Sequence, residues 1–291
     1  MSLEIGKYNQ LQVLRRVDFG YFLKGDSRSG DVLLPNNEID AGTLAALEKG
    51  TDRIEVFLYL DQEERIIATT RKPRAQVGDF AFLEVAWVNN YGAFLDWGLL
   101  KDLFVPFREQ KMKMQKGQSY IVHIHMDEES YRIMASAKVE RYLSQDYPPY
   151  QQGDEVDVLV WQKTDLGLKV IVNNQFAGLL YDDQVFRQLR TGDRTKAYVH
   201  QVRPDGKLDL ILQRKGQAGV RDFTYDLLDY LRQNHGYTVL GDKSSPEDIY
   251  EVFGVSKKVF KKAVGDLYKR HKIRIEEDGI HLTESGSAEK K

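Results

Sequence analysis

Three stretches of the chain alternate apolar and polar positions in one layout. They are GKYNQLQVLRRVDFGYFLKG (6–25), GDFAFLEVAWVNNYGAFLDWG (78–98) and GDEVDVLVWQKTDLGLKVIV (153–172). Each opens on a glycine, alternates up to a polar pair, and restarts after a second glycine. Short apolar pieces follow, GDVLLP (30–35), KDLFVP (101–106) and FAGLLY (176–181), and then a glycine ahead of further alternating runs. The equivalent glycines Gly6, Gly78 and Gly153 set a period of about 75 residues, longer than the roughly 20–50 residues of a solenoid repeat. Period-two alternation marks a strand with one face in a core. Val156, Val158 and Val160 against Asp157, Leu159 and Trp161 show it most clearly. About five short strands fit in each unit. That pattern predicts three tandem closed barrels, because closure removes exposed sheet edges. Helical spacing intrudes only in AGTLAALEKG (41–50).

From Arg221 the period changes. Phe223, Leu227, Leu228 and Leu231 recur at helical spacing, with Gly236 as a stop. SSPEDIYEVFG supplies a serine cap, an early proline and an acidic first turn, the marks of a second helix. After Gly254-Val255-Ser256 a third helix carries Val259, Phe260, Val264, Leu267 and Tyr268 as its apolar stripe. KIRIEEDGIHLTE then alternates around Asp278-Gly279, a hairpin signal. This order is that of a winged helix-turn-helix. The expected fold is therefore mainly β with a small α+β C-terminal domain. Its parts are five-stranded OB-type barrels over 1–72, 73–146 and 147–216, a winged helix over 217–284, and an unstructured tail over 285–291. RKPRAQ (71–76), LSQDYPPYQQ (143–152) and QRKGQAGV (213–220) read as the linkers.

Composition narrows the function. With 42 basic and 44 acidic residues the net charge is −2, so any polyanion must be held by a local patch. One such patch lies on the third helix, where Lys257, Lys258, Lys261 and Lys262 crowd the first turns and Arg270 follows. That end of a recognition helix faces a groove or phosphates; a solvated helix face is the plainer alternative. The absence of cysteine excludes disulfides, thiolate zinc sites and a cysteine nucleophile, and suits a reducing cytoplasm. The N-terminal MSLEIGKYNQ lacks the pattern of a secretory signal, and no apolar run reaches a membrane span. The expected location is cytoplasmic, with no membrane partner.

VGDFAFLEVAWVNNYGAFLDWGLLKDLFVP resembles an S1 RNA-binding domain, with its Gly-Asp start and aromatic-Gly-x-aromatic turn. Three such barrels followed by a winged helix are similar to the conserved virulence factor B (CvfB) family of bacterial RNA-binding regulators. The resemblance implies a base-stacking face made of two rings around the glycine and a histidine on the third strand. Phe19 and Phe22 fit the ring positions in barrel 1, and Tyr91 and Phe94 fit them in barrel 2. Leu166 and Lys169 replace them in barrel 3. The histidine position is read as Leu34, Val105 and Tyr181. The family's hairpin aspartate and arginine are matched by Asp61 with Arg65 and Asp127 with Arg132, with Arg203 and Lys207 nearby in barrel 3. Strict alternation turns Trp161 to the outer face, where it joins the Tyr181 ring and Lys169 as a binding candidate of barrel 3, and Trp87 to the core.

Aromatic stacking needs no base identity, and nearby Lys and Arg add a salt-dependent phosphate contribution. The expected partner is single-stranded RNA and the expected role a non-enzymatic regulator. A DNA-binding regulator using the winged helix, and a protein-interaction adaptor, remain open alternatives. His123-x-His125 puts two imidazoles on one strand face without a third ligand in reach by spacing, so neither a metal nor another cofactor is expected. No phosphate-binding G-x-x-x-x-G-K-S/T loop or G-x-S-x-G elbow is present.

Overall fold

A computed structural model describes residues 2–181, 189–212 and 219–283. The tail at 285–291 and most of the linker at 213–220 lie outside these residues. The chain divides into two compact units, Met1–Leu143 and Ser144–Lys291.

The first unit holds two barrels. Barrel 1 is built from β1 (Tyr8–Val17), β2 (Gly20–Leu23), β3 (Val32–Pro35), β4 (Arg53–Leu60) and β5 (Ile66–Thr69), with helix α1 (Ala41–Glu48) between β3 and β4. Barrel 2 repeats it with β6 (Phe80–Val88), β7 (Gly92–Asp96), β8 (Leu103–Pro106), β9 (Ser119–Met126) and β10 (Ile133–Ser136). In the second unit barrel 3 comprises β11 (Glu155–Thr164), β12 (Gly167–Val172), β13 (Phe176–Tyr181), β14 (Arg194–Val202) and β15 (Leu208–Ile211). All three close in the same order, first-second-third-fifth-fourth, with the third and fifth strands parallel. The alternation read in β11 is real: Val156, Val158 and Val160 sit in the barrel 3 core.

Gly92 has a specific reason. A Cβ there would fall 2.2 Å from the Val105 carbonyl oxygen, and at the equivalent Gly20 it would fall 2.2 Å from the Leu34 carbonyl oxygen. The second strand thus starts against the backbone of the third, where only glycine fits.

Barrels 1 and 2 share a core. On β4, Ile54, Val56 and Leu58 point into barrel 1, while Phe57 and Tyr59 point out and are buried with the interior of barrel 2. Phe57 packs edge-on against both Tyr8 (5.4 Å) and Trp97 (5.8 Å). The 71–76 segment, read as a linker, is part of this packing. Ala75 is buried in the shared core and the Arg74 amide donates to the Trp97 carbonyl at 2.8 Å.

The C-terminal domain contains α2 (Gly219–Gln233), β16 (Tyr237–Thr238), α3 (Pro246–Phe253), α4 (Lys257–Lys269), β17 (Ile273–Glu276) and β18 (Gly279–Leu282). Ser245 and Ser256 cap α3 and α4 by accepting from the Asp248 and Val259 amides, and Gly254 ends α3 in the left-handed region. Phe223, Leu227, Leu231, Phe260 and Leu267 form the core, whereas Tyr268, read as part of that stripe, is exposed. The two-residue strand β16, too short to leave a periodic signal, joins the wing as a third strand. The turn residues of the hairpin are Glu277-Asp278, since Glu276 pairs with Gly279. Gly279 is required elsewhere: a Cβ on it would lie 2.1 Å from the Thr238 carbonyl oxygen.

Candidate nucleic-acid interface

A β-bulge near the end of the first strand organises each barrel's outer face. The register slips between Val13 and Arg15, between Val85 and Trp87, and between Val160 and Gln162. One inserted residue reverses the facing of everything beyond it. Trp87, expected in the core, is therefore 43% exposed and pairs with Phe94 on β7. The two rings stack at 3.7 Å with planes 3° apart, and Phe104 on β8 continues the tier at 4.9 Å from Phe94. Trp87 Nε1 donates to Asp102 Oδ2 at 2.8 Å, which fixes the indole's orientation. Asn89 Oδ1 accepts from the Tyr91 and Gly92 amides, and this turn leaves the Tyr91 ring 75% exposed.

These rings line a groove of about 1070 Å³ in the first unit, together with Lys101, Arg108, Arg132 and, from barrel 1, Tyr59, Leu60, Gln62 and Glu64. Burial pulls the Lys101 ammonium below the ordinary lysine value and the Glu64 carboxylate opposes that shift. Arg108 pairs with Asp127 at 3.4 Å. Of the residues singled out in the sequence as site candidates, the groove brings together Tyr91, Phe94, Asp127 and Arg132. Sequence reasoning missed Trp87 and Phe104. Alternation in LFVP would have turned Phe104 outward had Val105 been read as core; the bulge that exposes Trp87 has no residue signature of its own.

In barrel 1, Phe19 is exposed and meets Phe22 edge-on at 6.4 Å, and the Arg15 guanidinium lies 4.4 Å over the Phe22 ring. Arg65 is tied to Asp61 at 2.8 Å and to Glu63 at 2.9 Å. In barrel 3, Trp161 is itself the bulge residue and is half-buried, with Lys169 Nζ 5.4 Å from its ring. Arg203 donates to the Tyr181 hydroxyl at 2.5 Å and pairs with Asp209 at 2.6 Å.

The histidine position is corrected by register. Leu34 and Val105 are fully buried core residues. Pro35 pairs with Gly20, Pro106 with Gly92 and Tyr181 with Gly167, so the equivalents of Tyr181 are the two prolines. His123 and His125 lie on the outer face of β9 with near-parallel rings 6.2 Å apart, Tyr142 stacking on His123 at 4.0 Å. They form an aromatic stack; the three-ligand cluster present among the described residues is Glu276, Asp278 and His281 on the wing.

On the winged helix, Lys257 Nζ donates to the Ser244 carbonyl at 2.7 Å, Lys261 pairs with Asp242 at 3.2 Å and Arg270 with Asp266 at 2.9 Å. Lys258 and Lys262 are exposed and have no ion-pair partner among the described residues. The wing tip is acidic, with Glu276, Glu277 and Asp278 in succession.

Fold and surface define a tandem S1-type barrel protein with a C-terminal winged helix. Residues 5–71 match the S1 domain and residues 225–282 the CvfB-like winged helix domain. The chain thus carries an S1 domain and a CvfB-like winged helix, and it is similar to CvfB-type proteins over nearly its whole length. It is 29% identical over 280 residues to the uncharacterized protein YitL of Bacillus subtilis, covering 94% of this chain and 91% of that one. It is 26% identical over 289 residues to conserved virulence factor B of Staphylococcus haemolyticus, covering 97% and 95%. A solved multidomain protein with nucleic acid binding domains from Streptococcus pneumoniae shares 25% identity over 96% of this chain and 98% of its own, with a TM-score of 0.40. The S1 match falls on barrel 1, although the motif read from sequence was fullest in barrel 2. No helix among the described residues is long and apolar enough to cross a membrane.

Proposed function

We propose that this protein binds single-stranded RNA as a post-transcriptional regulator, with the barrel 2 groove as its principal contact. The observation that carries the reading is the tier Trp87–Phe94–Phe104, open to solvent and flanked by Lys101, Arg108 and Arg132. Rings held in register by strands offer stacking platforms to splayed bases, and the cations follow the backbone. The S1 and CvfB-like matches support the same class. Reading duplex DNA through the winged helix is less favoured, because a wing tip of three acids repels the phosphates a wing would follow.

Fluorescence anisotropy with an unstructured RNA oligonucleotide tests the groove. Stacking on an aromatic is worth roughly 1–3 kcal/mol per base, so Trp87→Ala lowers affinity about fivefold or more. Unchanged affinity in both Trp87→Ala and Phe94→Ala would remove the groove from the site.

A further inference from the structure

Barrel 1 reaches into the groove of barrel 2. The hairpin joining β4 to β5 closes with the Asp61 amide donating to the Arg65 carbonyl at 3.0 Å. Arg65 turns back onto Asp61 and Glu63, whereas Glu64, in the left-handed region at φ 65°, points the other way. Its carboxylate forms an ion pair with the Arg132 guanidinium of barrel 2. Next to it, Lys101 Nζ donates to the Asp61 carbonyl at 2.7 Å. Two of the three groove cations are thus held by one hairpin of the neighbouring barrel. The side chains of Glu64 and Arg132 stay 43% and 55% exposed, so the pair is open to exchange with an anion from solvent.

A guanidinium receives a phosphate through the same forked N–H donors that it offers a carboxylate. We propose that the groove is a two-barrel site in which Glu64 occupies the phosphate position on Arg132, and that a single nucleic-acid strand enters by exchanging its own phosphate for Glu64. This rests on the reading of the groove given above. The Glu64–Arg132 pair is neutral, so each phosphate that Arg132 takes up leaves one free carboxylate, and a cation is retained at the site instead of being released. Arg132 is then nearly silent in the salt dependence of the native protein. Once Glu64 is neutral, Arg132 neutralises the phosphate outright, and the cation condensed on the strand is released, which adds a full single-strand increment of about 0.7 to the slope of log K against log salt.

The test measures RNA affinity across a salt series for the full chain and for Glu64→Gln, Arg132→Gln, the double variant, Trp87→Ala and Phe94→Ala. Glu64→Gln is expected to tighten binding about two- to fivefold at low salt, the range an exposed ion pair can shift. The slope steepens by about 0.7 in the native background and stays unchanged in the Arg132→Gln background. Equal steepening in both backgrounds would mean general charge relief and overturn the exchange. So would an unchanged affinity and slope in Glu64→Gln while Trp87→Ala weakens binding. If Trp87→Ala and Phe94→Ala are also without effect, the groove itself is not the site and both readings fall together.

Discussion

His123 carries its imidazole on the outer face of β9, 91% buried between Phe80 and Tyr142. Burial, helped by the neighbouring His125, holds the ring neutral down to about 4, where a free imidazole titrates near 6.5. Burial lowers His125 as well. Between those two values the unfolded chain binds the proton that the folded chain refuses. Stability is therefore present in full above pH 6.5 and lost as pH falls toward 4. For His123 the loss amounts to about 3 kcal/mol. The carboxylates of Asp26 and Asp40, held at about 2 chiefly by hydrogen bonds from Ser29 and Thr43, add stability that is intact across that window and is lost only as pH falls from 3.8 toward 2. Urea unfolding at about pH 7 and about pH 4.5 checks this: His123→Gln flattens the decline, and an unaltered decline would contradict the assignment. Sequence spacing placed the two histidines on one face but could not supply Tyr142, nineteen positions beyond His123, which turns the pair into a stack. Trp87 was misread for a related reason, since its facing depends on one inserted residue and not on its own chemistry.

Among elements, the strands of the barrels and the helices of the C-terminal domain were legible because each buries one face at a fixed period. Less visible were the bulges, the two-residue β16 and the reason for glycines such as Gly92 and Gly279, all set by what the neighbouring strand brings close. The lysine-rich start of α4 was read as one patch, yet the structure divides it. Lys257 and Lys261 bind Ser244 and Asp242 within the domain, while Lys258 and Lys262, one turn apart, face solvent. If α4 contributes to RNA binding, the exposed pair carries that contribution. Reversing both Lys258 and Lys262 to Glu is expected to weaken binding about three- to tenfold without moving Tm, through lost phosphate contacts. Lys257→Glu is expected to lower Tm instead. Thermal melts beside anisotropy separate the two, and equal affinity in the 258/262 variant would exclude the helix from the site.

At the scale of the molecule, the period of about 75 residues disclosed the repeated domains, but not that the first two share a core. Phe57 and Tyr59 looked like ordinary strand residues of barrel 1, and only the packing shows them inside barrel 2's cluster. Phe57→Ala leaves a cavity between the barrels and costs about 3–5 kcal/mol. Hydrogen exchange is expected to show amide protection falling together in β1–β5 and β6–β10; protection in barrel 2 that stays at its native level would contradict a shared unit. That shared unit is also what brings Glu64 to the edge of the barrel 2 groove. The central claim is that this groove stacks unpaired bases, and one titration tests it most directly: an unstructured RNA against the native chain and Trp87→Ala, with a duplex DNA of the same length as competitor. The account predicts that the unpaired RNA binds more tightly than the duplex, that salt weakens it, and that Trp87→Ala removes most of the preference. Tighter binding of the duplex, unaffected by Trp87→Ala, would contradict it.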